Sequence, residues 1–259
     1  MIYKIKNEFL EVTSNCSIYN EYIFKRFSQF EIISNSITSN YLKFNESTVE
    51  INLKDNYKIL KNRIIKTDIY PIVNNAIAYL INDESNIFMH AIVISKGNKG
   101  ILILGNFGQG KSTLAKEFVK NGYEVNSTDQ TWLKMQGGIL YQELGSVFDI
   151  DEGKIKLLER NASRKKIKIE KIIRIVGLCD NGKTTISVNN NKQYMIKNIA
   201  PFCYWNCMMP IFTDDIELYN TNIFVKKFWK VLDENKVSNY DVRGDKKQIV
   251  RKIGEMWGW

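Results

Sequence analysis

The chain has 259 residues, of which 44% are hydrophobic, so it can bury the core of one domain with a small accessory part, or of two small domains. Lysine and arginine number 37 against 28 acidic residues, and the resulting charge of +9 suits an anionic partner (a nucleotide, an acidic peptide or nucleic acid) or a lysine-rich surface. The four cysteines form no C-x-x-C pair and there is one histidine, which argues against a zinc site and against a disulfide framework.

The first residues lack the apolar stretch of a signal peptide, and no apolar run approaches the length that spans a membrane. The sequence therefore predicts a cytoplasmic protein with no membrane partner.

Residues 1–66 are predicted to form a small strand-rich region. Apolar and polar residues alternate there in two stretches, around Leu42 and Phe44 and from Val49 to Leu53, with a turn between them. No cluster in this region indicates chemistry, so support for the rest of the chain and substrate capture both stay open.

Residues 67–259 are predicted to form a second, larger domain. Pro71 is expected to begin a helix with two apolar stripes at i,i+4 spacing, followed by a buried strand over 87–94. The short turn at 96–100 then joins this strand to the next, 101–104, and two strands so closely joined must be antiparallel.

The segment that follows this second strand, Gly105–Ser112, fits the phosphate-binding pattern G-x-x-x-x-G-K-[ST] without a mismatch. A helix is expected over 111–121, and Gly122 stands where that helix should stop. Glycines let the backbone wrap around phosphate oxygens, and the helix N-terminus adds partial positive charge at the same place. Residues 67–259 are therefore predicted to be a nucleotide-binding domain. The residues expected to bind the nucleotide are Gly105, Asn106, Phe107, Gly108, Gln109, Gly110, Lys111, Ser112 and Thr113.

Individual roles follow from the chemistry of phosphoryl transfer. Lys111 would reach the β- and γ-phosphates of ATP or GTP, and the Ser112 hydroxyl would bind Mg²⁺. Asp129, at the end of a predicted strand over 123–129, is the candidate for the second metal ligand. Arg160 is a candidate cation for the transition state, and the basic run 164–171 could hold an acidic peptide or form a solvated face.

The stretch from His90 to Asp129 resembles the HPr kinase-like family, whose fold is shared with phosphoenolpyruvate carboxykinase. The resemblance rests on His90-Ala91, the tight turn, the phosphate-binding loop, Gly122 and the pair Thr128-Asp129. It implies an α/β fold in which a mixed sheet is flanked by helices, and it suggests that His90 lies near the γ-phosphate. The Glu-x-Arg-Gly-x-Gly segment of the true phosphocarrier-protein kinase is missing, so the chain looks more like stand-alone relatives in peptide-modification clusters.

One position departs from the family pattern. Active relatives carry an Asp where this chain has Thr128, and that Asp handles the proton of the attacking hydroxyl. A threonine hydroxyl holds its own proton too tightly to act as a general base near neutral pH. His90, Glu143 and Asp149 are the substitutes that their side-chain types allow.

The sequence thus favours a Mg²⁺-dependent kinase that transfers the γ-phosphoryl group of ATP to a hydroxyl, such as a Ser or Thr of a peptide or protein, in ribosomal-peptide tailoring. Two alternatives stay open. One is a catalytically degenerate nucleotide-binding protein that recognises a peptide or regulates a partner, and the other is a transferase that modifies a peptide differently. A homo-oligomer is compatible with the resemblance. Nucleic acid is not the expected partner, because no module that reads RNA or DNA is recognised.

Overall fold

A computed structural model describes residues 1–27, 30–33, 37–45, 47–61, 66–151, 154–157, 166–191, 193–199, 230, 233–234 and 237–258. These residues form a mixed α/β fold in which two large sheets are flanked by a few helices. Arg160, Cys203 and Cys207 lie outside these residues.

The first sheet has six strands in the order β3-β1-β2-β4-β5-β6. Neighbouring strands are antiparallel except β2 and β4, which are parallel. Its elements are β1 (Ile2–Ile5), β2 (Glu8–Ser14), α1 (Ser17–Arg26), β3 (Glu31–Ile33), β4 (Tyr41–Phe44), β5 (Thr48–Leu53) and β6 (Asn56–Lys61). The alternating residues of β4 and β5 point their apolar side chains into the core, as a half-buried sheet requires.

Helix α2 (Lys66–Ile81) packs against this first sheet and is buried over its last thirteen residues. The predicted helix start at Pro71 is wrong, because α2 begins five residues earlier and Pro71 lies inside it. A proline there lacks one backbone donor. Burial of Ile69 and Tyr70 in the same hydrophobic cluster as the first sheet favours the helix in spite of that loss. The division of the chain at residue 66 stays a prediction.

The second sheet has nine strands and is mixed. Its main path runs β10-β8-β9-β15-β12-β11-β7, with β17 beside β15 and β16 beyond β17. The strands are β7 (Asn86–His90), β8 (Ile92–Lys96), β9 (Lys99–Leu104), β10 (Glu124–Ser127), β11 (Gln130–Gln136), β12 (Ile139–Gly145), β15 (Ile167–Cys179), β16 (Thr185–Val188) and β17 (Ser238–Asp245). A separate hairpin consists of β13 (Phe148–Asp151) and β14 (Lys154–Leu157), and a 3₁₀ helix spans Gln193–Asn198.

The antiparallel hairpin before the loop is confirmed, with Lys96 paired to Lys99 across the turn between β8 and β9. The single strand predicted over 87–94 is wrong, because Ala91 divides it into β7 and β8. The two pieces pair with different strands, β7 with β11 and β8 with β9 and β10. At the break, the Ala91 N–H donates to the Asp129 carbonyl at 2.9 Å instead of continuing either ladder.

Two helices cover one face of the second sheet. Helix α3 (Lys111–Lys120) follows the loop, and helix α4 (Lys246–Trp257) begins at the capping residue Asp245, whose carboxylate accepts the Gln248 N–H at 2.9 Å. Gly122, with φ of 82°, ends the α3 region as predicted. Both helices bury their apolar faces in one cluster with β8, β9, β15 and β17. Within the described part of the chain, no helix combines the length and apolar character needed to cross a membrane.

The contact between α2 and the first sheet yields a stability prediction. Ile77 of α2 is fully buried in their shared cluster, so Ile77→Ala should lower the free energy of unfolding by about 2–5 kcal/mol, through lost transfer energy and a residual cavity. Val188→Ala, at a side chain that is 66% exposed, should change it by less than about 0.5 kcal/mol. Urea unfolding followed by circular dichroism measures both, and equal losses would contradict this packing.

Candidate functional site

The loop Gly105–Gly110 connects the end of β9 to the first residue of α3. Gly108 and Gly110 have φ angles of 75° and 87°, in the left-handed region that residues with a side chain rarely adopt. No atom lies within 4 Å of the position that a Cβ on Gly108 would take, so this part of the loop is open. A Cβ on Gly110 would stand 2.7 Å from Cδ1 of Leu178. Backbone conformation therefore accounts for two of the three glycines of the loop, of which Gly110 is fixed by the sequence pattern and Gly108 stands at one of its variable positions.

Bonds within the loop hold its shape. The Asn106 N–H donates to Oε1 of Gln109 at 2.6 Å, and the Gln109 N–H donates to the Asn106 carbonyl at 3.3 Å. Lys111 is buried, and its Nζ donates to the carbonyls of Gly105 at 2.8 Å and Asn106 at 3.2 Å. The ammonium group thus lies against the loop, while Ser112 and Thr113 are exposed in the first turn of α3.

His90 and Asp129 meet beside this loop. His90 ends β7 and is opposite Gln130, the first residue of β11, so the break at Ala91 brings Asp129 next to the imidazole. His90 Nδ1 lies 3.0 Å from Asp129 Oδ1. The His90 ring also packs on the Phe107 ring with their centroids 4.5 Å apart. The structure therefore brings together four parts that the sequence singled out: the loop, Lys111, His90 and Asp129. Asp129 does not end a strand as predicted, since β10 stops at Ser127.

The other oxygen of Asp129 contacts two residues that sequence reasoning missed. The Tyr70 hydroxyl of α2 donates to Oδ2, and Nη2 of Arg26, the last residue of α1, lies 3.6 Å from the same oxygen. The Arg26 guanidinium carbon is 4.1 Å from the centroid of the Tyr70 ring, a cation–π contact. Neither residue belongs to a local motif, and both lie more than fifty positions from Asp129 in sequence, so no signal in one sequence could have pointed to them.

The backbone around Asp129 is fixed by a buried polar network. Gln130 Nε2 donates to the Tyr70 hydroxyl at 2.9 Å and to Asn74 Oδ1. Thr128 donates two hydrogen bonds to the Ser146 carbonyl, one from its N–H at 2.6 Å and one from its hydroxyl at 3.1 Å. The Thr128 side chain therefore helps to hold the bend that presents Asp129.

Burial sets the protonation of this pair. It lowers the pKa of His90 from its ordinary value of 6.5 to about 3, with the positive charges of Lys111 and Arg26 acting in the same direction. The imidazole is therefore neutral at pH 7. Burial raises the pKa of Asp129, and the nearby Arg26 guanidinium opposes that shift.

The contacts of Asp129 do not fit a divalent cation bound to its carboxylate. Oδ1 lies against His90 Nδ1, and Oδ2 accepts the Tyr70 hydroxyl and faces Arg26, a cation that would repel a metal ion. Among the residues that the structure describes, no three His, Cys, Asp or Glu side chains cluster in a way that could hold a metal ion. Ser112, the other predicted ligand, is exposed on α3, and Mg²⁺ commonly binds through substrate phosphates with few protein donors.

The remaining candidate bases occupy other strands. Glu143 lies on β12 with its Oε1 3.4 Å from Lys166 Nζ, and Asp149 lies on β13. Arg160 lies outside the described residues.

A cleft of about 270 Å³ opens on the α3 side of the loop. It lies between the loop, the C-terminal end of β15 and the first residue of α4. Its lining consists of Gly108, Gln109, Gly110, Thr113, Gly177, Leu178, Cys179, Asp180 and Lys246.

The sole histidine allows a direct test of the electrostatics. In the folded protein the His90 ring should stay neutral as the pH falls from 8 until it approaches the pKa of about 3, whereas in urea it should titrate near 6.5. The unfolded chain then takes up this proton first, so His90 lowers stability as the pH falls between those two values and has no effect above them. NMR of ¹⁵N-labelled imidazole measures the titration, and a folded-state midpoint near 6 would contradict the buried placement.

Comparison with known proteins gives a limited result. No protein-family profile matches the chain, and no curated protein does. Among solved structures, the chain is similar to the Hpr(Ser) kinase/phosphatase from Coxiella burnetii, with 21% sequence identity over 38% of this chain and 76% of that chain, and with a TM-score of 0.30. A likeness at this level assigns no family to the chain, so its function has to be argued from its own residues.

Proposed function

We propose that the protein is a nucleotide-dependent kinase that transfers the γ-phosphoryl group of ATP to a hydroxyl of a peptide or protein. The observation that carries this proposal is the loop between β9 and α3, with two left-handed glycines, Lys111 beneath it and the His90–Asp129 pair at its side. A peptide-tailoring role, with a Ser or Thr acceptor, is the specific form that the family resemblance favours.

The loop supports the binding of a triphosphate through charge and backbone geometry. Its exposed residues and the first turn of α3 offer backbone N–H groups, and the helix dipole adds positive potential there. Lys111 contributes a full charge within reach of the loop, and exchanging its carbonyl partners for phosphate oxygens replaces neutral acceptors with charged ones, which form stronger bonds. The adjoining cleft could take the rest of the nucleotide, with ATP and GTP as the alternatives.

His90 is our candidate for the proton acceptor that Thr128 cannot be. Its imidazole is neutral at pH 7, so a ring nitrogen has a lone pair, and it packs on Phe107 of the loop. A pKa of about 3 makes a weak base, but the negative charge of a bound triphosphate would raise that pKa toward the working range. Mg²⁺ is expected with the nucleotide, with Ser112 as its protein donor, and it would neutralise charge on the phosphates.

A second candidate function rests on Thr128 itself. Its hydroxyl donates to the Ser146 carbonyl, which is a structural role at the position where an active relative carries its acidic residue. A protein that binds nucleotide and recognises a peptide without transferring phosphate would keep the loop and tolerate this change. A transferase that attaches a different group to a peptide remains compatible with the same site.

The kinase proposal is tested with labelled ATP, Ser- and Thr-containing peptides, and mass spectrometry of the products. Lys111→Ala should reduce transfer by about 10²-fold or more, because it removes the charge that stabilises the transferring phosphoryl group. Lys116→Ala, at an exposed lysine of the same helix, should leave transfer within about twofold of wild type.

Each outcome separates the candidate functions. Phosphorylated peptide from wild type and little from Lys111→Ala supports the kinase. Nucleotide binding without any product supports the degenerate protein, and a different mass increment supports another transferase. If Lys111→Ala and Lys116→Ala both gave as much product as wild type, the loop would have no role in the transfer.

Two glycine substitutions test the loop without changing any charge. Gly110→Ala and Gly122→Ala both force alanine into the left-handed region, with φ of 87° and 82°, so each should cost about 1–2 kcal/mol of stability through backbone strain. Gly110→Ala should cost somewhat more, because its Cβ would stand 2.7 Å from Leu178 Cδ1, which must shift. Only Gly110→Ala should also weaken ATP binding, by about tenfold or more, since its backbone belongs to the loop. Calorimetry with ATP measures this difference, and equal affinities for the two variants would contradict a phosphate-binding role.

A further inference from the structure

The inference concerns the charge that faces Asp129, and it rests on the proposed function. The Asp129 side chain is 13% exposed, and each of its carboxylate oxygens has a defined neighbour: Oδ1 faces His90 Nδ1 at 3.0 Å, and Oδ2 faces the Tyr70 hydroxyl and Arg26. A buried carboxylate needs compensating charge or hydrogen bonds. Here a residue from the first helix provides the charge.

The Arg26 guanidinium is held in place by its own surroundings. It is 8% exposed, it lies over the Tyr70 ring, and its side chain forms a hydrogen bond with Tyr22. Helix α1 in turn is anchored by Ile23 and Phe27, which are fully buried in the cluster of the first sheet. The position of this cation is therefore set by the fold of the N-terminal residues.

A guanidinium and a divalent metal ion cannot share one carboxylate oxygen at such distances without strong repulsion. The family resemblance leads us to expect a metal ion bound to the Asp129 carboxylate, and the Arg26 guanidinium lies beside that carboxylate instead.

We propose that Arg26 is a positioning residue that supplies the positive charge beside Asp129 in place of a protein-bound divalent cation. Asp129 then serves to hold His90 against the phosphate-binding loop, and the metal ion of the reaction is held by the nucleotide phosphates and Ser112. The first helix, which carries no chemical motif, completes the site.

The test uses Mn²⁺ as a paramagnetic probe and the single histidine as its reporter, in the nucleotide-free protein. An ion on Asp129 would sit within a few ångströms of the His90 ring and broaden its NMR signals. In wild type the broadening should require a high Mn²⁺ concentration. In Arg26→Gln the broadening should occur at a Mn²⁺ concentration at least about tenfold lower, because the variant lacks the positive charge that repels Mn²⁺ from the Asp129 carboxylate. The double variant Arg26→Gln/Asp129→Asn should return to the wild-type curve.

Two further variants separate charge from packing. Arg26→Lys keeps the positive charge and should follow wild type, whereas Lys25→Gln, at an exposed neighbour in the same helix, should have no effect. If Arg26→Gln fails to fold, Asp129→Asn alone tests whether Asp129 binds Mn²⁺. Under the proposal its broadening curve should match that of wild type.

Three results would overturn the proposal. One is wild-type broadening at low Mn²⁺ that Asp129→Asn abolishes, which would make Asp129 a metal ligand. The second is folded Arg26→Gln with an unchanged curve, and the third is Arg26→Lys behaving like Arg26→Gln. Calorimetry of wild type with ATP is run in parallel: an absence of ATP binding would defeat the proposed kinase function, whereas the Mn²⁺ curves would still decide the role of Arg26.

Discussion

One largely buried carboxylate, that of Asp129, joins separate parts of this molecule through its contacts. Leaving such a group without partners would be costly, and its partners come from three separate elements: Arg26 from α1, Tyr70 from α2 and His90 from β7. Because α1 and α2 both pack in the cluster of the first sheet, the contacts of this carboxylate also connect that sheet to the second one. The same group lies next to the loop through the packing of His90 on Phe107.

The parts of the fold that follow local rules were predictable. The β8–β9 hairpin, the helix after the loop and the stop at Gly122 each depend on a few neighbouring residues. The errors arose where distant contacts override local preference. Pro71 is accommodated inside α2 because burial of the preceding turn favours the helix, and the run 87–94 is divided because Ala91 bonds to a carbonyl from a distant part of the chain.

The candidate site divides in the same way. The loop residues are contiguous, so one sequence could name them. Asp129 was proposed from its place at the end of a predicted strand, and the family resemblance added His90. Arg26 and Tyr70 could not have been found, because an arginine in a weakly patterned helix and a tyrosine before a proline have no local feature that marks them. What joins them to Asp129 is the packing of α1 and α2, which a single sequence does not specify. The sequence showed that Thr128 departs from the family pattern. The structure shows that its hydroxyl donates to the Ser146 carbonyl, so the residue has a structural role.

The pairing of β15 has a consequence for how the chain reaches its native state. This strand lies parallel to β9 on one side and to β17 on the other, and each pairing joins segments separated by about seventy positions. Parallel strands so distant in sequence close large loops before their hydrogen bonds compensate for the lost chain entropy, which slows folding. During synthesis, β9 and its loop emerge well before β15, and β15 before β17. Strand β9, which leads into the loop, therefore lacks its partner β15 during that interval, and its apolar residues are exposed to aggregation.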